Sequence, residues 1–349
     1  MARIITITSG KGGVGKTSIS LNLSLALSAE GFKVCLLDAD LGLANVSILT
    51  GIYPEKNLES VIEGQFSLNE IVIKDYQGID IIPGSSGIQK ITNLTPAQTD
   101  ILINEFLDFE NYDYFIFDTS AGIAPQVVSF CMASHEIILV VTCEPTSLTD
   151  AYSMLKVLSK HGYDCPVKIV LNQVKSGKIA KKAYVQLKET VHRFLPIKVE
   201  FLGVVISDKN VQIAVISQTP FFLAFPDTIA SKCIKSIAEK LIQKADRIGD
   251  IPLEFFWNKS LSFLTKYNRS DQSSVLQKNL NPKENFDPKE VLSRIESSLS
   301  TLVEEVDDIK QLLENFEFIA NKSKKESPEH ADSKQYSLDF ESWLKNKYK

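Results

Sequence analysis

The chain has 349 residues, 44% of them hydrophobic, with a formal net charge of −5. That supports one large α/β domain with an appendage, or two modest domains, and excludes a wholly disordered protein; the mild charge gives no global attraction to nucleic acid. Five scattered cysteines (Cys35, Cys131, Cys143, Cys165 and Cys233) contain no C-x-x-C pair, which excludes a zinc knuckle or dithiol motif and predicts buried, reduced thiols.

Short β-branched runs alternate with helical patterns from residue 1 to about 245. Strands are expected at Ile4–Thr8, Val34–Asp38, Ile79–Pro83, Tyr114–Asp118, Ile137–Thr142, Val167–Leu171 and Glu200–Ile206. Helices are expected at Thr17–Glu30, Pro96–Phe109, Ser147–Lys160, Lys178–Phe194 and Asp227–Lys244. This alternation predicts an α/β fold: a mostly parallel sheet with helices on both faces, plus a helical C-terminal extension. Gly10 interrupts the first apolar run too early for a signal peptide, and no window approaches the ~20 apolar residues of a membrane span. The protein is therefore expected to be soluble, or at most to lie on a membrane surface.

Gly10-Lys11-Gly12-Gly13-Val14-Gly15-Lys16-Thr17 satisfies G-x-x-x-x-G-K-[ST] between an expected strand and an expected helix. Glycines there let backbone N–H groups curl around phosphate oxygens, and the helix beginning near Lys16 and continuing through Ser18 adds its positive end. Lys16 is expected on the β- and γ-phosphates of ATP and the Thr17 hydroxyl on Mg²⁺. Downstream, Val34-Cys35-Leu36-Leu37-Asp38-Ala39-Asp40 is an apolar strand ending in two carboxylates. Two residues apart on extended backbone, Asp38 and Asp40 point the same way, which suits metal or water positioning. Tyr114-Phe115-Ile116-Phe117-Asp118 is a second such strand.

The early Lys11, in Lys-Gly-Gly-Val-Gly-Lys-Thr, resembles the deviant Walker A of the MinD/ParA group of P-loop ATPases, of the SIMIBI type. That resemblance implies an ATP-dependent homodimer in which Lys11 reaches the partner's phosphates, as an arginine finger does. It further implies that Asp40 orients the attacking water, that Asp38 supports Mg²⁺ and the switch region, and that Asp118 is the Walker B carboxylate. Gly122, after Thr119-Ser120-Ala121, is expected to offer its N–H to the γ-phosphate. Asn172 matches the family's adenine-contacting asparagine, and Ser207 and Asp208 sit in the equivalent late loop. Ordinary turn chemistry at strand ends is the alternative for these last three.

The resemblance covers about residues 2–245. Within it, Leu37–Val46, Glu144–Tyr152, Leu202–Asp208 and Gln218-Thr219-Pro220-Phe221 look most like the FlhG (FleN/YlxH) group of bacterial flagellar-number regulators. That likeness implies an FlhF-type GTPase, flagellar basal-body components or a flagellar transcription activator as partners. Many FlhG proteins have an N-terminal extension with a short Asp-Gln motif that stimulates FlhF. Here the phosphate-loop strand starts at once, so binding to FlhF is expected without its stimulation. A ParA-like DNA-partitioning ATPase is the rival, resting on Lys175, Lys178, Lys181, Lys182 and Lys188 around one helix. A solvated helix face is the commoner meaning of such lysines, and nucleic acid is not the expected partner. An iron–sulfur carrier of the same superfamily lacks its cysteine pair here.

The expected organisation is an ATPase domain at 1–246, an amphipathic helix at 250–266, a linker at 267–288, a heptad-patterned helix at 289–320 and a polar, disordered tail at 321–349. In the first helix, Phe256, Trp257, Leu261 and Leu264 gather on one side with Leu253. That face suits an anionic membrane surface, as the resemblance implies for a bacterial cytoplasmic protein held at the inner membrane when ATP-bound. It equally suits packing on the domain. Ile295, Leu299, Leu302, Val306, Ile309, Leu313 and Phe316 form an a/d seam, for pairing with a second helix or docking on the core.

Overall fold

The computed structural model describes residues 2–40, 45–84, 91–107, 109, 111–243 and 252–279. The chain divides into two units, Met1–Arg269 and Ser270–Lys349. The heptad-patterned segment and the polar tail lie outside the described residues.

Eight strands form one sheet: β1 (Arg3–Ser9), β2 (Val34–Ala39), β3 (Ile73–Tyr76), β4 (Ile79–Pro83), β5 (Tyr114–Ala121), β6 (Glu136–Val141), β7 (Val167–Val174) and β8 (Val199–Ile206). Their order is β3-β4-β2-β5-β1-β6-β7-β8, parallel throughout except for the antiparallel edge strand β3. Helices α1 (Lys16–Ala29), α2 (Asn45–Thr50), α3 (Leu58–Ile62), α4 (Leu68–Ile71), α5 (Pro96–Leu107) and α6 (Pro125–Ala133) occupy the first half. After them come α7 (Pro145–Lys160), α8 (Gly177–Phe194), α9 (Lys209–Ile216), α10 (Phe221–Ala224), α11 (Ile229–Gln243) and α12 (Leu253–Asn279).

Strand alternation sends each strand's residues to opposite faces. Tyr114 and Ile116 of β5 join α1 and α11 in one core; Phe115 and Phe117 join α5, α6 and α12 in the other. Every expected strand is present. Edge strand β3 was not legible, being four residues of mixed polarity joined to β4 through Gln77-Gly78, both at positive φ. Among the thiols, Cys35 and Cys131 are buried as expected, whereas Cys143, Cys165 and Cys233 are only half-buried. Burial pushes the Cys131 thiol up to about 12, which leaves it chemically quiet.

Two expectations for the C-terminal region are corrected. The linker placed at 267–288 is helical as far as Asn279. Phe256 and Trp257 are fully buried, and Leu261 and Leu264 nearly so, against Phe106, Phe117 and Phe130. The face read as lipid-facing is therefore spent inside the protein. An amphipathic pattern records only that one side leaves water, not what covers it, and here an aromatic wall does. No helix among the described residues is long and apolar enough to cross a membrane.

At the end of the central strands away from the phosphate loop, Glu136 is wholly buried. It receives Arg3 Nε at 2.9 Å and Arg3 Nη2 at 3.0 Å, and it pairs with Lys168. Arg3 Nη1 also donates to the Leu241 carbonyl at 2.6 Å, tying the end of α11 to β1. Glu136→Ala should remove the buried carboxylate that Arg3 and Lys168 share and cost about 3–5 kcal/mol of unfolding free energy in urea melts. Lys168→Met, which keeps the arginine pair, should cost clearly less.

Candidate functional site

β1 ends at Ser9, and the chain curls through Gly10–Gly15 before α1 begins at Lys16. Gly13 and Gly15 hold φ of 76° and 84°, the left-handed region. A Cβ on Gly10 would stand 2.3 Å from the Asp150 carbonyl carbon, and one on Gly15 2.4 Å from Asn172 Nδ2. Close approach of other chain segments thus adds to what the motif already demands. The loop borders a cleft of about 330 Å³ that also takes in Thr17, Ser18, Asp40, Asn45, Ile48 and Val215.

Lys16 is almost fully buried, with Nζ 3.6 Å from Asp118. Asp118 lies opposite Asp38 in the β2–β5 pairing and is sealed from solvent. Ser20, one turn beyond Lys16, donates to Asp118 Oδ1 at 2.8 Å. Asp118 Oδ2 has no hydrogen-bond partner. A buried carboxylate oxygen left open beside a phosphate-loop Thr17 fits a hydrated Mg²⁺, which needs few protein ligands when phosphates supply the rest. The donor set therefore fits Mg-ATP. Bound there, Mg²⁺ would neutralise phosphate charge as the terminal phosphoryl group is transferred.

Asp38 is tied to backbone N–H groups that follow β2. Its two oxygens accept from the Asp40 N–H at 3.2 Å and the Val46 N–H at 3.3 Å, bracketing the segment between them. Asp40 in turn accepts from Asn45 Nδ2 at 2.7 Å and faces the cleft. Burial first, then Asp118 across the strand pair, pushes the Asp38 carboxyl up to about 7. Burial also raises Asp118, against the pull of Lys16 and of the Thr17 and Ser20 hydroxyls. Below about pH 7 the folded protein should therefore keep a proton on the Asp38–Asp118 pair that the unfolded chain releases near pH ~4. The contribution of this proton to stability should be fully present below that pH and be lost as pH rises through 7. Urea melts of Asp38→Asn across pH 5–8 should show a flatter slope than wild type.

Lys11 lies at the rim, 38% exposed, with Nζ 2.9 Å from both Glu144 Oε2 and Thr146 Oγ1 at the start of α7. It makes these contacts within its own subunit, and the cleft's internal cation is Lys16. The Gly122 N–H donates to the Ser9 carbonyl at 2.8 Å, because the β1–β5 pairing runs on to that point. Asn172 Nδ2 donates to the Val14 carbonyl at 2.8 Å. Asn172 keeps its acceptor oxygen and its second amide hydrogen, a pair that suits the exocyclic amine and N7 of adenine. Asp208 is the N-cap of α9, accepting from the Asn210 N–H at 2.9 Å, and the Ser207 N–H donates to the Val174 carbonyl at 2.9 Å. The turn alternative describes the contacts of these two residues. Ser20, Asn45, Glu144, Thr146 and Gln173 were not singled out from sequence. Only Ser20 had a readable signal there, four residues beyond Lys16 on the same helix face.

Fold and site together define a P-loop ATPase. A family model described as an AAA domain matches residues 2–164. The antiactivator FleN of Pseudomonas aeruginosa is 41% identical over 68% of this chain and 86% of its own length. The flagellum site-determining protein YlxH of Helicobacter pylori is 31% identical over 75% of this chain and 90% of its own. Among solved structures, the MinD of Pyrococcus horikoshii complexed with Mg-ADP matches with a TM-score of 0.57 and 26% identity, covering 72% of this chain and all of that one. The chain belongs to the MinD/ParA-type P-loop ATPases, and within them to the FleN/YlxH group of FlhG-type flagellar regulators.

Proposed function

We propose that this protein is an ATP-switched homodimer that regulates flagellar number or placement from the cytoplasm. The carrying observation is the division of labour between two loop lysines: Lys16 is buried in its own cleft, while Lys11 sits on the rim, held only by an exposed carboxylate and a hydroxyl. Lys11 is free to be delivered to a second subunit's phosphates once that exposed pair opens, and an exposed pair opens at a cost of no more than about 1 kcal/mol. Mg-ATP is the cofactor on this reading, with Asp40 orienting the attacking water. Residues 1–246 form the ATPase domain.

The names of FleN and YlxH, antiactivator and flagellum site-determining protein, support a flagellar regulator or an FlhF-type GTPase as the downstream partner. An Aquifex aeolicus MinD has been solved in complex with MinC, which supports partner binding as the output of the switch. A second reading, non-specific DNA binding, draws on Lys175, Lys178, Lys182 and Arg193, exposed along or beside α8. It predicts DNA retention at low salt that disappears at moderate salt.

Asp40→Ala tests the switch. The variant should bind ATP, hydrolyse it slowly and accumulate as a dimer in light scattering. A variant that remains monomeric with ATP refutes the switch. Unchanged flagellar number and position in cells carrying Asp40→Ala would refute the flagellar assignment alone.

A further inference from the structure

We infer that Gln173, acting with Asn172, is a positioning clamp that shapes the phosphate loop from outside. Both residues lie near the end of β7. Asn172 Nδ2 donates to the Val14 carbonyl at 2.8 Å, and Gln173 Nε2 donates to the Gly13 carbonyl at 3.3 Å. These are consecutive peptide units of the loop. In a planar trans peptide the C=O and the following N–H point in opposite directions. Two successive carbonyls drawn outward therefore turn the N–H groups of Val14 and Gly15 toward the cleft that both residues line. Successive N–H groups aimed into one concavity make an anion nest. The clamp thus prepays the orientation of two donors before any phosphate arrives.

Two further observations point the same way. Gly15 leaves no room for a Cβ beside Asn172 Nδ2, so loop and clamp are fitted at van der Waals range. Gln173 itself holds φ of 56°, a left-handed conformation inside a strand, where the register of β7 on β8 slips between Leu171 and Val174. Backbone strain of this kind persists where the surroundings enforce it, and it clusters at ligand clamps. Gln173 is exposed, so its strain is not repaid by burial. What the conformation delivers is an amide donor aimed at the loop. Gln173 touches no reacting atom in this role; it acts through the peptides it holds.

The inference rests on the loop binding a nucleotide's phosphates. The test uses the full chain with Gln173→Gly and Gln173→Glu. Three quantities are read: the melting temperature without nucleotide, the Kd for ADP, and the Kd for inorganic tripolyphosphate. Gln173→Gly relieves the strain, so its melting temperature should be unchanged or raised. It should nevertheless bind ADP and tripolyphosphate about fivefold more weakly each, the worth of one hydrogen bond. Gln173→Glu has the same shape without the donor and should bind no better than the glycine variant. Opposite movements of stability and affinity are a signature that a purely structural turn residue would not give. If ADP weakens while tripolyphosphate does not, Gln173 reads base or ribose and the clamp is refuted. Wild-type affinity in both variants refutes it equally. Wild-type protein that binds neither ligand would bring down the phosphate-loop reading and the clamp together.

Discussion

Lys16→Ala is expected to lower ATP affinity by on the order of 10²–10³-fold, because truncating one partner of a desolvated charge pair costs about 3–4 kcal/mol. Lys16 is 7% exposed, so solvent screens its charge little, and its nearest anion without nucleotide is the wholly buried Asp118. Arriving phosphates therefore compete with Asp118 for one cation, and the open Asp118 oxygen is available to a hydrated Mg²⁺ as Lys16 turns to the phosphates. In the alanine variant both links fail together. The phosphates lose their counter-cation, and Asp118 keeps only its hydroxyl partners in a site where burial already favours its protonated form. Titration calorimetry with ATP and Mg²⁺ measures the loss. The ATP-dependent dimer proposed for this protein should not form in light scattering, while the far-UV spectrum stays that of a folded α/β protein. Retention of near-wild-type affinity would show that Lys16 is not the principal phosphate cation.

Trp257→Ala should lower unfolding free energy by about 3–5 kcal/mol, the range for truncating a fully buried large aromatic side chain. Its ring stands 4.7 Å from Phe106 and 5.8 Å from both Phe117 and Phe130, centroid to centroid, in tilted and T-shaped contacts. Removing it leaves a cavity between α5, α6, β5 and α12 that these rigid neighbours cannot close. Trp257→Phe should cost much less. The indole Nε1 is buried without a hydrogen-bond partner, so phenylalanine removes an unmet donor along with some packing. Urea unfolding of the two variants separates the effects. Replacing both Phe256 and Trp257 by glutamate strikes the same wall. Two carboxylates forced into an apolar wall would unfold the region around α12, whatever the lipid present. A stable, folded double-glutamate protein would overturn the buried placement of this helix.

Features of this protein are legible in its sequence to the extent that their signals are local. The phosphate loop was legible because its chemistry is local: glycine freedom, a helix start and a lysine, all within eight consecutive residues. The apolar strands before Asp38 and Asp118 were legible because a doubly covered parallel strand must be apolar almost throughout. That same property placed both carboxylates toward the C-terminal ends of their strands, beside the loop. The pairing of Asp38 with Asp118 was out of reach. It depends on β2 lying next to β5, a neighbour relation that no spacing within the chain encodes. The contacts of Lys11 were equally hidden, since Glu144 is 133 residues away.

What the sequence determined by itself, then, was the class of chemistry: phosphate binding with carboxylates alongside, on an α/β sheet. The tertiary structure decided everything that required choosing a partner. It assigned the apolar face of α12 to an aromatic wall, because hydrophobicity is non-directional and a helix stripe fits lipid or protein alike until a surface is presented to it. It spent the Gly122 N–H on Ser9, since a backbone donor beside a parallel strand takes the ladder bond nearest to it. And it turned Asn172 and Gln173 toward the phosphate loop, because hydrogen-bond partners are set by distance in space, which only the closed sheet establishes.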